Sequence, residues 1–243
     1  MKKGFTLAET LITLIVIGVV AALTIPSLFQ TYKEHEIVSK FKKFYSTISN
    51  AYNLAVAENG TIDKWSFGGD SWNFYQRGAG SQIIMEKFLP YLNITKKCDY
   101  TDDSCSPNTS YVNLSKTQTW GDNNLNNSNF ARIILSDGTL IAFNALNPDC
   151  NTENKKICVQ IEVDLNGAYK GPNQMGYDTF EIEITPRGIG VAFPDRFNDD
   201  DMGNTRWNKI CNKDSSDSYN GGYCAGWILY KGNMNYLHET TYW

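Results

Sequence analysis

A long uncharged run from Leu11 to Leu28, close to the start of the chain, limits what the chain can become. At about 1.5 Å per residue a helix over these residues is roughly 27 Å long, close to the thickness of a bilayer's hydrocarbon. Lys2, Lys3 and Gly4 precede the run, and one carboxylate, Glu9, stands at its edge. A carboxylate in that position costs on the order of a few kcal/mol at full depth and calls for a partner.

A secretory signal peptide places its cleavage site after the apolar stretch. Here the plausible cut falls before it, between Gly4 and Phe5, so the apolar run stays in the mature protein. The stretch Gly4-Phe5-Thr6-Leu7-Ala8-Glu9 and the run behind it resemble the class III signal of type IV pilins and type II secretion pseudopilins over residues 1–30. The resemblance implies that a prepilin peptidase cuts after Gly4 and methylates Phe5. It also implies that Glu9 pairs with the N-terminal amine of a neighbouring pilin or pseudopilin subunit, and that an inner-membrane assembly platform drives polymerisation. Gly18 and Pro26 fall where that family often has a glycine and a proline. Proline removes the bond to the Ala22 carbonyl and Gly18 loosens the turn before it, so residues 18–26 are where the helix can melt. In the resembling filaments this stretch loses helicity on assembly.

The resulting layout is a leader at 1–4, a membrane and assembly segment at 5–30, and a globular region at 31–243. Lys2 and Lys3 favour a cytoplasmic N-terminus, which puts the bulk outside the inner membrane as a single-pass protein. Without the leader lysines the 22 basic residues fall to 20 against 26 acidic ones, a formal charge of −6. Nucleic acid is therefore not expected as a partner.

The six cysteines come as close pairs, Cys98 with Cys105, Cys150 with Cys158 and Cys211 with Cys224. Local pairing is one of fifteen possibilities. Zinc is the rival, but no C-x-x-C occurs and His35 and His238 are distant in sequence, so disulfides in an oxidising compartment are favoured.

From Ser27 to about Ala57 the helix continues in amphipathic form, with Ile37, Phe41, Phe44, Ile48, Tyr52 and Ala55 on one stripe. Asn59-Gly60 ends it. Residues 61–82, with Trp65, Phe67, Trp72, Phe74 and Tyr75, show no period and read as a loop packed by its own side chains. Ser81 reads as the cap of a short helix over Gln82 to Tyr91. The polar span 95–129 reads as loop. Strands are expected at 131–135 and 139–143 around an Asp137-Gly138 hairpin turn, at Ile157 to Val163, at Thr179 to Thr185 and at Ile189 to Phe193. The fold class is α+β, a pilin-like long helix packed on an antiparallel sheet. The tryptophan, isoleucine and tyrosines of the C-terminal segment, Trp227, Ile228, Tyr230 and Tyr236, are expected to anchor it in the core.

No P-loop, GxSxG elbow or HExxH motif occurs, and an enzyme is not expected. One stretch sets side-chain oxygens around tight glycine turns, Asp164-Leu165-Asn166-Gly167 through Gly176-Tyr177-Asp178. Two readings stand: hard-oxygen ligands for calcium from Asp164, Asn166 and Asp178, or Asx-turns with no ion. Some pseudopilins hold calcium in a C-terminal loop, as the resemblance would allow; no other cofactor is expected. The functional expectation is a prepilin-type structural subunit. Its rivals are a monomeric membrane-anchored binding module, adhesin-like, and an exported enzyme.

Overall fold

The computed structural model describes residues 4, 6–68, 74–105, 110–117, 125, 129–148, 150, 157–191 and 210–239. Phe5, Trp72, Phe193 and the polar run at 122–127 apart from Leu125 lie outside them. Among the described residues the chain forms three α-helices and a six-stranded antiparallel sheet whose strands follow chain order. The strands are β1 (Ile94–Cys98), β2 (Ala131–Leu135), β3 (Leu140–Ala145), β4 (Val159–Asp164), β5 (Thr179–Thr185) and β6 (Gly188–Gly190). This is the α+β layout expected.

Helix α1 (Leu7–Asn59) is 53 residues long and runs unbroken through Gly18 and Pro26. At about 1.5 Å per residue it spans roughly 80 Å, far more than one domain needs. Thr6 caps its start, and Gly60, at φ 78°, ends it as the Asn59-Gly60 signal predicts. Its second half buries Val38, Phe41, Phe44, Ile48, Ala51, Tyr52 and Ala55 against the sheet. Ile37, expected on that stripe, is only half-buried, because the helix turns Val38 inward instead.

Period two sorts the strands cleanly. Ile133, Ile141, Val163 and Phe180 lie side by side across β2 to β5, and Ala131, Phe143, Ile161 and Ile182 form the next row. These rows meet α1; the Phe41 and Phe180 ring centroids are 4.6 Å apart. The other face carries a second, smaller core of Cys98, Cys105, Tyr111, Phe130, Leu140 and Met175. The sheet is thus covered on both sides.

Helix α2 (Phe74–Phe88) begins eight residues before the short helix expected from Gln82, so the loop reading of 74–82 is corrected. Gly78 and Gly80 hide the helical period there, and packing overrides their poor propensity. A Cβ on Gly80 would stand 2.5 Å from the Phe67 carbonyl oxygen, so only glycine permits this approach. Ser81 is no cap. Its hydroxyl donates to the Arg77 carbonyl and accepts from the Ala145 N–H, each at 2.9 Å, stitching α2 to β3.

The loop reading of 95–129 also fails at its start, where β1 pairs with β2. Its Thr95, Lys96 and Lys97 are exposed, as on an edge strand defended by charge, and so carry no apolar alternation. The β2–β3 hairpin closes through Ser136, Asp137 and Gly138, with Gly138 at φ 88° and the Leu135 N–H donating to the Thr139 carbonyl. Helix α3 (Cys224–Lys231) packs against β5 and α1. Trp227, Ile228 and Tyr236 are buried, whereas Tyr230, expected to anchor, is exposed.

Candidate functional site

Among the described residues nothing buries the first half of α1. Leu11, Leu14, Ile15, Ile17, Val19, Val20 and Leu23 are each more than half exposed. Nothing lies within 4 Å of a Cβ placed on Gly18. A helix this apolar with no apolar neighbour needs one, and α1 is long and apolar enough to cross a membrane.

At its head, Glu9 closes a capping box. Its carboxylate accepts from the Thr6 N–H and the Thr6 hydroxyl, both at 2.8 Å, and its own N–H donates to Thr6 Oγ1 at 3.3 Å. Two otherwise orphaned N–H groups are satisfied reciprocally. The structure therefore places Gly4, Thr6 and Glu9 together at one helix end, about 14 and 26 Å along the axis from Gly18 and Pro26 at about 1.5 Å per residue.

The oxygen-rich loop is brought together as well, and there the carboxylates of Asp164 and Asp178 already accept donors, while Asn166 Oδ1 is buried with no hydrogen-bond partner among the described residues. Asp164 Oδ1 accepts from the Asn166 and Gly167 N–H groups at 3.1 and 2.9 Å, and Oδ2 from the Tyr111 hydroxyl at 3.0 Å. Asp178 Oδ1 accepts from the Gln174 N–H at 2.7 Å, and Oδ2 from the Asn173 N–H at 3.0 Å and the Asn166 amide at 3.2 Å. Calcium takes six to eight oxygens at about 2.3 to 2.6 Å. Here N–H donors converge on the carboxylates instead, and no group of three metal-binding side chains occurs among the described residues. The hydrogen bonds that the two carboxylates accept are those of the Asx-turn reading. Burial, and then the neighbouring Asp178, push Asp164 up to about 7. Burial likewise raises Asp178 and, reinforced by Asp164, the Tyr111 hydroxyl.

All six cysteines are bonded, each to its neighbour in sequence: Cys98 to Cys105, Cys150 to Cys158 and Cys211 to Cys224. The three bonds span sequence separations of 7, 8 and 13 residues. His238 Nε2 reaches Glu34 of α1 at 2.9 Å, tying the described end of the chain to the helix near the end of its apolar half.

Sequence reasoning missed the polar layer beneath the second core. Arg132, Glu162 and Glu183 are buried on that face, with Arg132 Nε donating to the Leu125 carbonyl at 2.5 Å and Gln160 donating to Glu162 at 3.3 Å. In Val159–Asp164 and Thr179–Thr185 the alternation of Glu with Ile or Val reads as a wet outer face. In the folded protein Glu162 and Glu183 on it are buried.

No curated protein and no solved structure matches the chain. One family, described as "Family of unknown function (DUF6613)", matches residues 27–232, beginning where the apolar run ends and taking in the whole sheet. Since that match covers most of the 243 residues, the chain belongs to the DUF6613 family of unknown function.

Proposed function

We propose that the chain is a prepilin-type structural subunit. Its first helical half holds it in the inner membrane, prepilin peptidase cuts after Gly4 and methylates Phe5, and the same half then packs with those of other subunits in a type IV pilus or type II secretion pseudopilus. The α+β domain forms the outer surface of that filament and performs no chemistry of its own.

The observation that carries this reading is the union of a wholly uncovered apolar half-helix with a carboxylate at its head. In the bilayer, lipid covers the apolar side chains; in a filament, other helices do so at similar cost, and packing decides the association. Glu9 then marks register, because a buried carboxylate facing a neighbour's amine is tolerable only when the two meet.

One observation favours a second reading, a plain membrane anchor for a monomeric binding module. Glu9 already has two donors from Thr6 within its own chain, and a capping box needs no partner subunit. Mass spectrometry of membrane-extracted protein separates the two at the first step. The prepilin reading expects loss of Met1 to Gly4 and an N-methyl group on Phe5; an intact leader would leave the anchor reading standing, and a cut after Ala21 or Ala22, which removes the apolar run, would overturn both.

A further inference from the structure

We infer that the cleft where α1 leaves its apolar half is a seat for the headgroup of an anionic phospholipid. The inference rests on the reading of that half as membrane-spanning, and concerns what the chain binds there. The cleft has a volume of about 610 Å³ and opens between α1 and the loop that follows β4. Pro26 and Phe29 line its apolar end, and Lys33, Lys40 and Lys116 share the remaining wall with other residues that include the carboxylates of Glu36 and Asp178.

Depth comes first. Lys33 lies five residues beyond Leu28, about 7.5 Å along the axis. The headgroup layer on each side of a bilayer is roughly 5 to 8 Å deep, so Lys33 stands among phosphates when the run from Leu11 to Leu28 fills the hydrocarbon. Its ammonium sits 4.6 Å from the centre of the Phe29 ring, which pins it at the apolar end of the cleft. Lys40 contributes less, since Glu36 takes its ammonium at 2.7 Å.

Lys116 arrives from another part of the chain, and the fold goes to some length to put it there. Its backbone is at φ 58°, a conformation that side chains other than glycine rarely adopt. The turn that imposes this is anchored by Asn113, which is fully buried. The Asn113 carbonyl accepts from the Lys116 N–H and Asn113 Oδ1 from the Thr117 N–H, both at 3.0 Å, while its amide donates to the Asp217 carbonyl at 3.0 Å. Two lysines from separate elements thus converge on one cleft whose other end is apolar. A phosphate with an acyl chain leaving beside Phe29 and Leu28, which are exposed, satisfies both ends together.

The test uses the full-length chain reconstituted in vesicles of phosphatidylcholine alone or mixed with phosphatidylglycerol, released in mild detergent and weighed with retained lipid by native mass spectrometry. Phosphatidylglycerol should be retained in preference to phosphatidylcholine. Lys33→Gln with Lys116→Gln should lower that preference by roughly twenty-five-fold, at about fivefold for each lysine. Lys64→Gln, beyond the far end of α1, should leave it unchanged and serves as the control for charge alone. A double variant with undiminished preference overturns the seat. Displacement of the lipid by millimolar inorganic phosphate assigns the cleft to a soluble anion, and unchanged retention with loss from filaments assigns it to a neighbouring subunit; either overturns the lipid. Alkaline carbonate keeps the two readings apart. A wild-type chain stripped from vesicles by carbonate contradicts the membrane reading itself, whereas one that stays inserted without lipid preference contradicts only the seat.

Discussion

The two halves of α1 share one backbone and differ in what completes them. From Val38 to Ala55 the buried side chains find partners within the chain, in the rows led by Phe143, Ile161 and Phe180. From Leu7 to Phe29 the large apolar side chains are more than half exposed, and none of them is buried among the described residues. The lesson is that a helix is not a unit of solvation. The globular domain closes on itself, even satisfying awkward groups such as Asp164 and Asp178, while the first half closes only on something outside the molecule.

The sharpest way to break that comparison is to remove one large side chain from each half. Phe41 is fully buried, so Phe41→Ala should destabilise the detergent-solubilised protein by about 3 to 5 kcal/mol, read as a lower melting temperature. Leu14 is 66% exposed, and Leu14→Ala should leave the melting of the domain where it was. Equal effects at the two positions would mean that the first half folds back onto the domain.

A smaller effect tests how completely the domain closes. Burial and Asp178 raise Asp164 to about 7 in the folded protein, against about 3.9 for an aspartate in an unfolded chain. The folded state therefore keeps a proton that the unfolded state gives up between these values. Stability from this group is present in full below about pH 4 and falls as pH rises toward 7. Asp164→Asn retains an oxygen for the Asn166 and Gly167 N–H groups and abolishes the titration. Its stability should decline less over that window, with a gain on the order of 2 kcal/mol by pH 8 in thermal or denaturant unfolding. Parallel pH profiles for the two proteins would place Asp164 in a wetter site than the structure does.

Smallest of all is the expected response to calcium. A ligand that binds only the native state raises its melting temperature by mass action. Because N–H donors occupy the carboxylates of Asp164 and Asp178, millimolar calcium added to metal-stripped protein should leave the melting curve unchanged. A clear upward shift would show that the loop rearranges around an ion.

Much of this architecture is legible in the residues. The apolar run, the stripe from Phe41 to Ala55, the Asp137-Gly138 turn and the alternation in Thr179–Thr185 each follow from a local period that tertiary packing leaves intact. What stays hidden has a common cause. The start of α2 carries Gly80 because the Phe67 carbonyl presses on it, β1 carries lysines because it is an edge, and Ser81 looks like a cap while serving as a strut to Ala145. In each, the residue answers to a distant neighbour and local pattern misleads. The candidate site divides the same way. Gly4, Phe5 and Glu9 stand out by order and spacing, but the Thr6 to Glu9 capping box, although written in the sequence, passes unnoticed beside the stronger signal. The burial of Glu162 and Glu183 could not be read at all, because alternation assigns a residue to a face and does not say whether that face is covered.

Glu9→Gln, measured in cells as the ratio of filament to membrane fractions alongside N-terminal processing, tests the central claim most directly. Glutamine preserves the capping box, since its side-chain oxygen can still accept from Thr6, and removes only the charge. If Glu9 meets a neighbour's amine, the variant leaves that amine buried and unpaired at a cost of about 3 to 5 kcal/mol per contact, a loss of more than about a hundredfold in each addition. The account predicts a protein that is inserted, cut after Gly4 and folded, yet missing from filaments. A processed Glu9→Gln protein that enters filaments as well as the wild type would contradict it, and would leave Glu9 as a helix cap on an ordinary anchor.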